Sequence, residues 1–180
     1  MSDRIGQQLG NYRVISLIGR GGFAEVYLGE HVYLKTKAAI KVLRTRLAGE
    51  DRESFLTEAQ TIAHLQHDHI VSILEFGVQG NMPFLIMEYA PNGTLRQRHP
   101  RGKPLSLETI LPYVRQVSDA LQYAHDEKLI HRDIKPENML LGSNNELLLS
   151  DFGVALVVKS SRYQEKEEVV GTIAYMAPEQ

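Results

Sequence analysis

The hydrophobic pattern along this chain switches between a two-residue and a helical period, and each switch marks an element. Tyr12, Val14, Ser16 and Ile18 alternate ahead of the glycine cluster Gly19-Arg20-Gly21-Gly22; Val26-Tyr27-Leu28 and Ala38-Ala39-Ile40-Lys41-Val42-Leu43 follow it. Strand, glycine turn, strand predicts a hairpin with a third strand beside it. Phe55, Ala59 and Ile62 then recur at helical spacing and predict a helix over Glu53 to Leu65. Two more strands are predicted at Ile70 to Phe76 and Phe84 to Tyr89, with Gly80-Asn81 turning between them. The sum is a five-stranded antiparallel sheet with one main helix, and Pro91-Asn92-Gly93 closes it.

The second half has a different pattern. Ser106 offers an N-cap, and Ile110, Val114, Val117, Leu121 and Ala124 form a stripe at steps of four and three, predicting a helix over 106–128 with that stripe in the core. The helix delivers the chain to Leu129-Ile130 and a polar loop. Leu140-Leu141 and Leu147-Leu148-Leu149 then form a short hairpin around Gly142-Ser143-Asn144-Asn145, leading to Asp151-Phe152-Gly153. The fold class is α+β.

Composition narrows the function classes. At 180 residues the chain has room for one ordinary domain or two small lobes. Its formal net charge of −2 removes a strong case for a nucleic-acid or anionic-membrane partner. With no cysteine, a disulfide framework and a thiolate metal site are both excluded, which is compatible with a reducing cytoplasm. The first eight residues are polar and mixed in charge, unlike a signal peptide, and no run approaches the roughly 18 apolar residues of a membrane span.

The candidate chemistry lies in His131-Arg132-Asp133-Ile134-Lys135-Pro136-Glu137-Asn138. Asp133 and Asn138 are five apart with Pro136 between them, which argues against one continuous helix and for a bent loop. Such a loop can turn a carboxylate, a cation and a carboxamide toward one point. Phosphoryl transfer uses that trio: a carboxylate for the incoming hydroxyl's proton, a cation for the migrating phosphoryl group, an amide oxygen for a metal ion. A solvated loop after a helix is the plain alternative.

The whole octet resembles the catalytic loop of eukaryotic-type (Hanks-type) serine/threonine protein kinases, in a bacterial style. The resemblance implies a bilobal fold, with an N-terminal extension over 1–11, an N-lobe over 12–90 and a partial, mostly helical C-lobe over 91–180. It implies ATP and Mg²⁺ as cofactors and protein serine or threonine hydroxyls as acceptors. Asp133 would take or orient the acceptor proton, Lys135 would neutralise the γ-phosphoryl group, and Asn138 with Asp151 would hold the metal. A lysine at 135 and an asparagine at 138 point to serine/threonine rather than tyrosine.

Other motifs join the resemblance. Gly19, Gly21 and Val26 stand as in the kinase glycine loop, with Gly22 beside them, while Ala24 replaces the third glycine, its methyl group expected to stiffen the loop slightly. A strand–turn–strand setting excludes a Walker A or dinucleotide loop. Lys41 would reach the α- and β-phosphates and pair with Glu58, Glu53 being the runner-up. Ala39, Met87, Leu140 and the backbone around Glu88 and Ala90 would surround the adenine. In the loop after Asp151, Ser160 or Ser161 is the expected phosphorylation site, or Glu165, Glu167 and Glu168 stand in for phosphate; Thr172 would bond the catalytic aspartate and lysine. A dimer for phosphorylation in trans is left open. Because the sequence stops one residue after Ala177-Pro178-Glu179, a C-terminally truncated lobe is expected, with doubtful activity alone. A nucleotide-binding scaffold without catalysis is the second reading and a small-molecule kinase the third.

Overall fold

The structure, a computed structural model, describes residues 4–47, 49–152 and 175. The described residues divide into two compact units: 4–64 and 72–89 form one, with residue 48 left out, and 65–71, 90–152 and 175 the other.

The first unit is built on a sheet of β1 (Gln8–Leu9), β2 (Tyr12–Arg20), β3 (Ala24–His31), β4 (Lys37–Leu43), β5 (Ile73–Gln79) and β6 (Met82–Glu88), in the order β1-β2-β3-β4-β6-β5. Every neighbouring pair is antiparallel. The five expected strands are present, and the two-residue β1 adds a sixth at the edge beside β2. Strand period then sorts side chains onto two faces. Tyr27, Ile40 and Ile86 stand opposite one another across β3, β4 and β6 and belong to one core cluster with Leu9, Tyr12, Val14, Ala38, Val42 and Phe84. Ile40 and Ile86 are fully buried, each contributing about 2 kcal/mol of hydrophobic stabilisation. Gly29 belongs to this packing: a Cβ there would come within 2.4 Å of the Ile40 side chain.

Helix α1 (Glu50–Ala63) packs against β5 and buries Phe55, Ala59 and Ile62, the three residues whose spacing predicts it. It begins three residues earlier than Glu53, with Glu50, Asp51 and Glu53 in its first turn, where the helix dipole favours negative charge. The strand expected from Ile70 starts instead at Ile73. Ile70 and Val71 are buried in the second unit, where Ile70 makes a parallel bridge to Leu149 and Val71 donates its N–H to Leu149 O at 3.0 Å. An apolar run carries no sign of which sheet its backbone will join.

The second unit contains α2 (Leu95–Arg98), α3 (Leu107–Asp126), a 3₁₀ turn (Pro136–Asn138), and the hairpin of β7 (Met139–Leu141) and β8 (Leu147–Leu149). The Ser106 hydroxyl accepts from Thr109 N, as its N-cap position predicts. Thr94 and Gln97 form a capping box on α2. The expected core stripe of α3 holds only in part. Ala120 and Ala124 are completely buried, but Val114 is 50% exposed, and Leu107 and Leu111 beside the stripe are exposed as well. The helix packs against β8, and Gln116 Oε1 accepts from Leu147 N at 2.7 Å, so its C-terminal half has the burial. At its end Lys128 turns left-handed, φ +64°, and Leu129 N donates to Ala124 O. Among the described residues no helix is long and apolar enough to cross a membrane.

Candidate active site

In the second unit the site is assembled at the open end of the β7–β8 hairpin. Met139 pairs with Leu149, so Asn138 and Ser150 are the next pair outward. Their link is made twice, since Ser150 N and Ser150 Oγ both donate to Asn138 O, at 2.9 and 3.0 Å. Asn138 is therefore fixed from behind, 6% exposed, at the end of the 3₁₀ turn that Pro136 opens. Its side-chain amide reaches back across the bend and donates to Asp133 O at 2.8 Å and to Asp133 Oδ2 at 2.9 Å. Lys135 Nζ meets the same Oδ2 at 2.5 Å. The bent loop thus brings carboxylate, cation and carboxamide to one oxygen. Within it, Asp133 and Lys135 are each about one-fifth exposed.

His131 holds this loop to the residue after it. The ring is 2% exposed, its Nε2 lies 2.8 Å from Ser150 O, and its Nδ1 accepts from Asp133 N at 3.2 Å. A carbonyl on one side and an N–H on the other require the neutral ring with its proton on Nε2. Burial lowers the pKa of His131 below its ordinary 6.5, outweighing the Ser150 carbonyl and the nearby Asp151 and Asp133 charges, which raise it. Phe152 packs its ring 4.5 Å away, centroid to centroid. Asp133 and Asp151 are thereby positioned by backbone on both sides of one buried imidazole. Arg132 (φ +66°) and Asp151 (φ +70°) have left-handed backbones, each worth about 1–3 kcal/mol of strain in a non-glycine residue. Such strain persists only where surrounding contacts over-determine it.

The oxygens of Asn138 and Asp151 are of the type that suits a hard metal ion. With its amide nitrogen spent on Asp133, Asn138 keeps its carbonyl oxygen without a hydrogen-bond partner among the described residues, and Asp151 adds a carboxylate. No group of three or more histidines, cysteines, aspartates or glutamates converges for a metal among those residues. Two protein oxygens suit an ion that draws its other ligands from phosphate and water.

Sequence reasoning gave no role to two further residues of this unit, Arg96 and Glu137. Arg96 Nε donates to Glu137 Oε1 at 2.9 Å and also hydrogen-bonds the Tyr175 hydroxyl. Burial would raise the pKa of Glu137, but the Arg96 hydrogen bond and charge leave it lowered. Glu137 lies inside the motif and could have been flagged; Arg96, 41 residues away, has no signal in sequence. Leu140, half-buried on β7, pairs with Leu148 and bridges Thr94.

In the first unit the other expected residues share one sheet face. Gly19 stands opposite Val26, Val26 opposite Lys41, and Lys41 opposite Leu85; in the next row Leu28 faces Ala39 and Ala39 faces Met87. Directly opposed residues share a face, and so do residues two apart. Val26, Ala39, Lys41 and Met87 therefore lie together, opposite the Ile40–Ile86 core. Glu88 N donates to Ser72 O, so a ligand's acceptor would have to look to Ala90 for an N–H. Ala24 is not in the glycine turn but is the first residue of β3, buried and paired with Leu43, so its methyl group is part of the packed sheet.

The fold itself places little demand on the glycine turn. Gly19, Gly21 and Gly22 do not have left-handed backbones, and a Cβ would meet nothing closer than 3.6 Å at any of them. Gly21 N donates to Ala24 O, which closes the turn. Glu58 is half-buried on α1 one residue before Ala59, whereas Glu53 is exposed in the first turn. Gly153, Ser160, Ser161, Thr172 and Glu179 lie outside the described residues.

Comparison with known proteins places this geometry. The family model described as protein kinase domain matches residues 12–180. The chain is 35% identical to the serine/threonine-protein kinase PrkC of Bacillus subtilis over 98% of its length and 28% of that protein's. It is 36% identical to the serine/threonine-protein kinase PknL of Mycobacterium tuberculosis over 94% of this chain and 43% of the other. The crystal structure of the Mycobacterium tuberculosis PknI kinase domain superposes with a TM-score of 0.75 at 29% identity, covering 89% of this chain and 64% of that one. The chain spans less than half the length of these two curated relatives. With the octet, the sheet face and the family model all in agreement over one continuous stretch, the chain belongs to the protein kinase domain family.

Proposed function

We propose that the chain carries the catalytic machinery of an ATP-dependent serine/threonine protein kinase of bacterial Hanks type. The observation that supports this most is the single Asp133 carboxylate oxygen held by Lys135 Nζ at 2.5 Å and Asn138 Nδ2 at 2.9 Å. In this reading Asp133 accepts the proton of a serine or threonine hydroxyl as its oxygen attacks the γ-phosphorus of ATP. The bond to the β–γ bridging oxygen breaks and ADP leaves. Lys135 bears the positive charge beside the reacting group, while Asn138 restrains the Asp133 carboxylate. Asn138 Oδ1 and Asp151 would hold Mg²⁺, which supplies neutralisation of phosphate charge when bound.

Lys41 would contact the α- and β-phosphates from the sheet face it shares with Val26, Ala39 and Met87, with Glu58 as its partner. Backbone around Glu88 and Ala90, together with Leu140, would meet the adenine. Bare backbone at Gly19, Gly21 and Gly22 has a ready use here, because phosphate oxygens can approach where a side chain would stand. Ser160 or Ser161 phosphorylation, the Thr172 contact, exchange of phosphate between two copies and a cytoplasmic setting belong to the same reading.

The test is transfer of labelled phosphate from ATP and Mg²⁺ to a protein substrate, with Asp133→Asn alongside. Transfer to serine or threonine that vanishes in the variant, while ATP still raises the melting temperature of both proteins, is the expected result. ATP stabilisation with no transfer by the unaltered chain would replace the enzyme with a nucleotide-binding scaffold.

A further inference from the structure

A polar cavity lies wholly within the first unit. Its volume is about 900 Å³, and Arg4, Arg44 and Arg46 line it together with Thr45 and Asn81, over Leu43 and Met82. Three guanidiniums around one cavity are unexpected in a chain whose net charge is −2. One carboxylate serves the cluster: Glu25 Oε2 lies 3.9 Å from Arg4 Nε, and Glu25 Oε1 accepts from Arg44 at 3.1 Å and from Arg20 at 3.2 Å. The Tyr27 hydroxyl donates to Glu25 Oε2 at 2.8 Å. That bond and the arginines hold the Glu25 pKa low, so one full negative charge stands against several positive ones. Arg46 has no ion-pair partner among the described residues, and the cavity retains a positive surplus.

A second observation points the same way. Thr45 is 5% exposed and lines the cavity, yet its hydroxyl has no hydrogen-bond partner among the described residues. A hydroxyl without a partner that is open to a cavity is available to whatever fills it. The backbone around it is fixed: Arg44 N donates to Phe23 O and Leu47 N to Asn81 O, both at 2.8 Å. Planar guanidinium forks match the tetrahedral oxygens of phosphate, and a dianion matches the surplus charge better than a carboxylate does. Among the described residues no aromatic ring lines the cavity to stack a base, so a nucleotide is disfavoured. Leu43 and Met82 offer apolar contact for the residue next to the phosphate.

We propose that this cavity binds a phosphorylated serine or threonine side chain within a protein segment, with Arg4, Arg44 and Arg46 on the phosphate and Thr45 donating to it. The cavity's lining includes neither Val26 nor Lys41, and the proposal does not depend on the chain being an active kinase.

The test is fluorescence anisotropy of the full chain with a labelled phosphothreonine peptide flanked by leucines. Its unphosphorylated twin and a glutamate version serve as comparators. The phosphopeptide is expected to bind at least about tenfold more tightly than either, and saturating ATP should not displace it. Arg46→Gln removes a guanidinium without touching the Glu25 network. It should weaken the phosphopeptide about tenfold and the unphosphorylated twin hardly at all; Thr45→Val should weaken it about threefold or more. Both variants should melt within a few degrees of the parent. Equal affinity for the three peptides, displacement by ATP, or an Arg46→Gln variant that binds as the parent does would each overturn the assignment.

Discussion

The two units hold their functional residues by opposite means. In the first, strand register sets Val26, Ala39, Lys41 and Met87 on one face, each on regular backbone. In the second, His131, Asp133, Lys135 and Asn138 lie on irregular backbone, and their own side chains tie it together. Substitutions should therefore separate chemistry from stability in the sheet and confound the two in the loop.

Asp133→Asn gives the largest expected effect. The amide keeps the shape but cannot accept the hydroxyl proton, so phosphoryl transfer should fall about 10²–10⁴-fold, as read by initial rates. Lys41→Met follows. Loss of one positioned cation should cost about 10²–10³ in rate while urea unfolding shifts by less than about 1 kcal/mol, because the sheet register does not depend on it. A large loss of stability in this variant would break the comparison between the units.

Asn138→Leu tests the other side. It removes both amide hydrogen bonds to Asp133 in a buried place, and should destabilise the chain by about 2–3 kcal/mol in urea titrations as well as lowering activity.

The pH dependence of stability sharpens the role of His131. Its folded pKa is below 6.5, so as pH falls from 6.5 toward that lower value the unfolded chain takes up a proton and the folded chain does not. Stability attributable to this ring is thus complete above about pH 6.5 and declines as the solution is acidified. His131→Gln, though less stable at neutral pH, should lose that part of the acid slope; an unchanged slope would show that the ring is not held neutral. The smallest effect is expected from Gly22→Ala, since a methyl group there meets nothing within 4 Å. Its melting temperature should be unchanged, and only ATP affinity should drop, by a fewfold; no drop at all would remove the glycine turn from the nucleotide reading.

Sequence pattern alone determined the five main strands, α1, α3 and the β7–β8 hairpin, because hydrophobic spacing and turn residues set the type of each element locally, even where, as in α3, only part of the stripe is buried. It also determined the octet, since a bent loop of eight residues brings Asp133, Lys135 and Asn138 together through local contacts. The tertiary structure decided what depends on residues far apart in the chain. Ile70 and Val71 joined Leu149 rather than β5, a choice made by pairing partners that an apolar run does not name. Val114 was left half exposed because helical period fixes which face a residue shares, not how far the neighbouring element extends along it. The link from His131 to Ser150, the pairing of Arg96 with Glu137, and the gathering of Arg4 with Arg44 and Arg46 likewise have no local signature. Local order follows from spacing along the backbone; these contacts follow from packing, which brings distant side chains within reach only once the chain has folded.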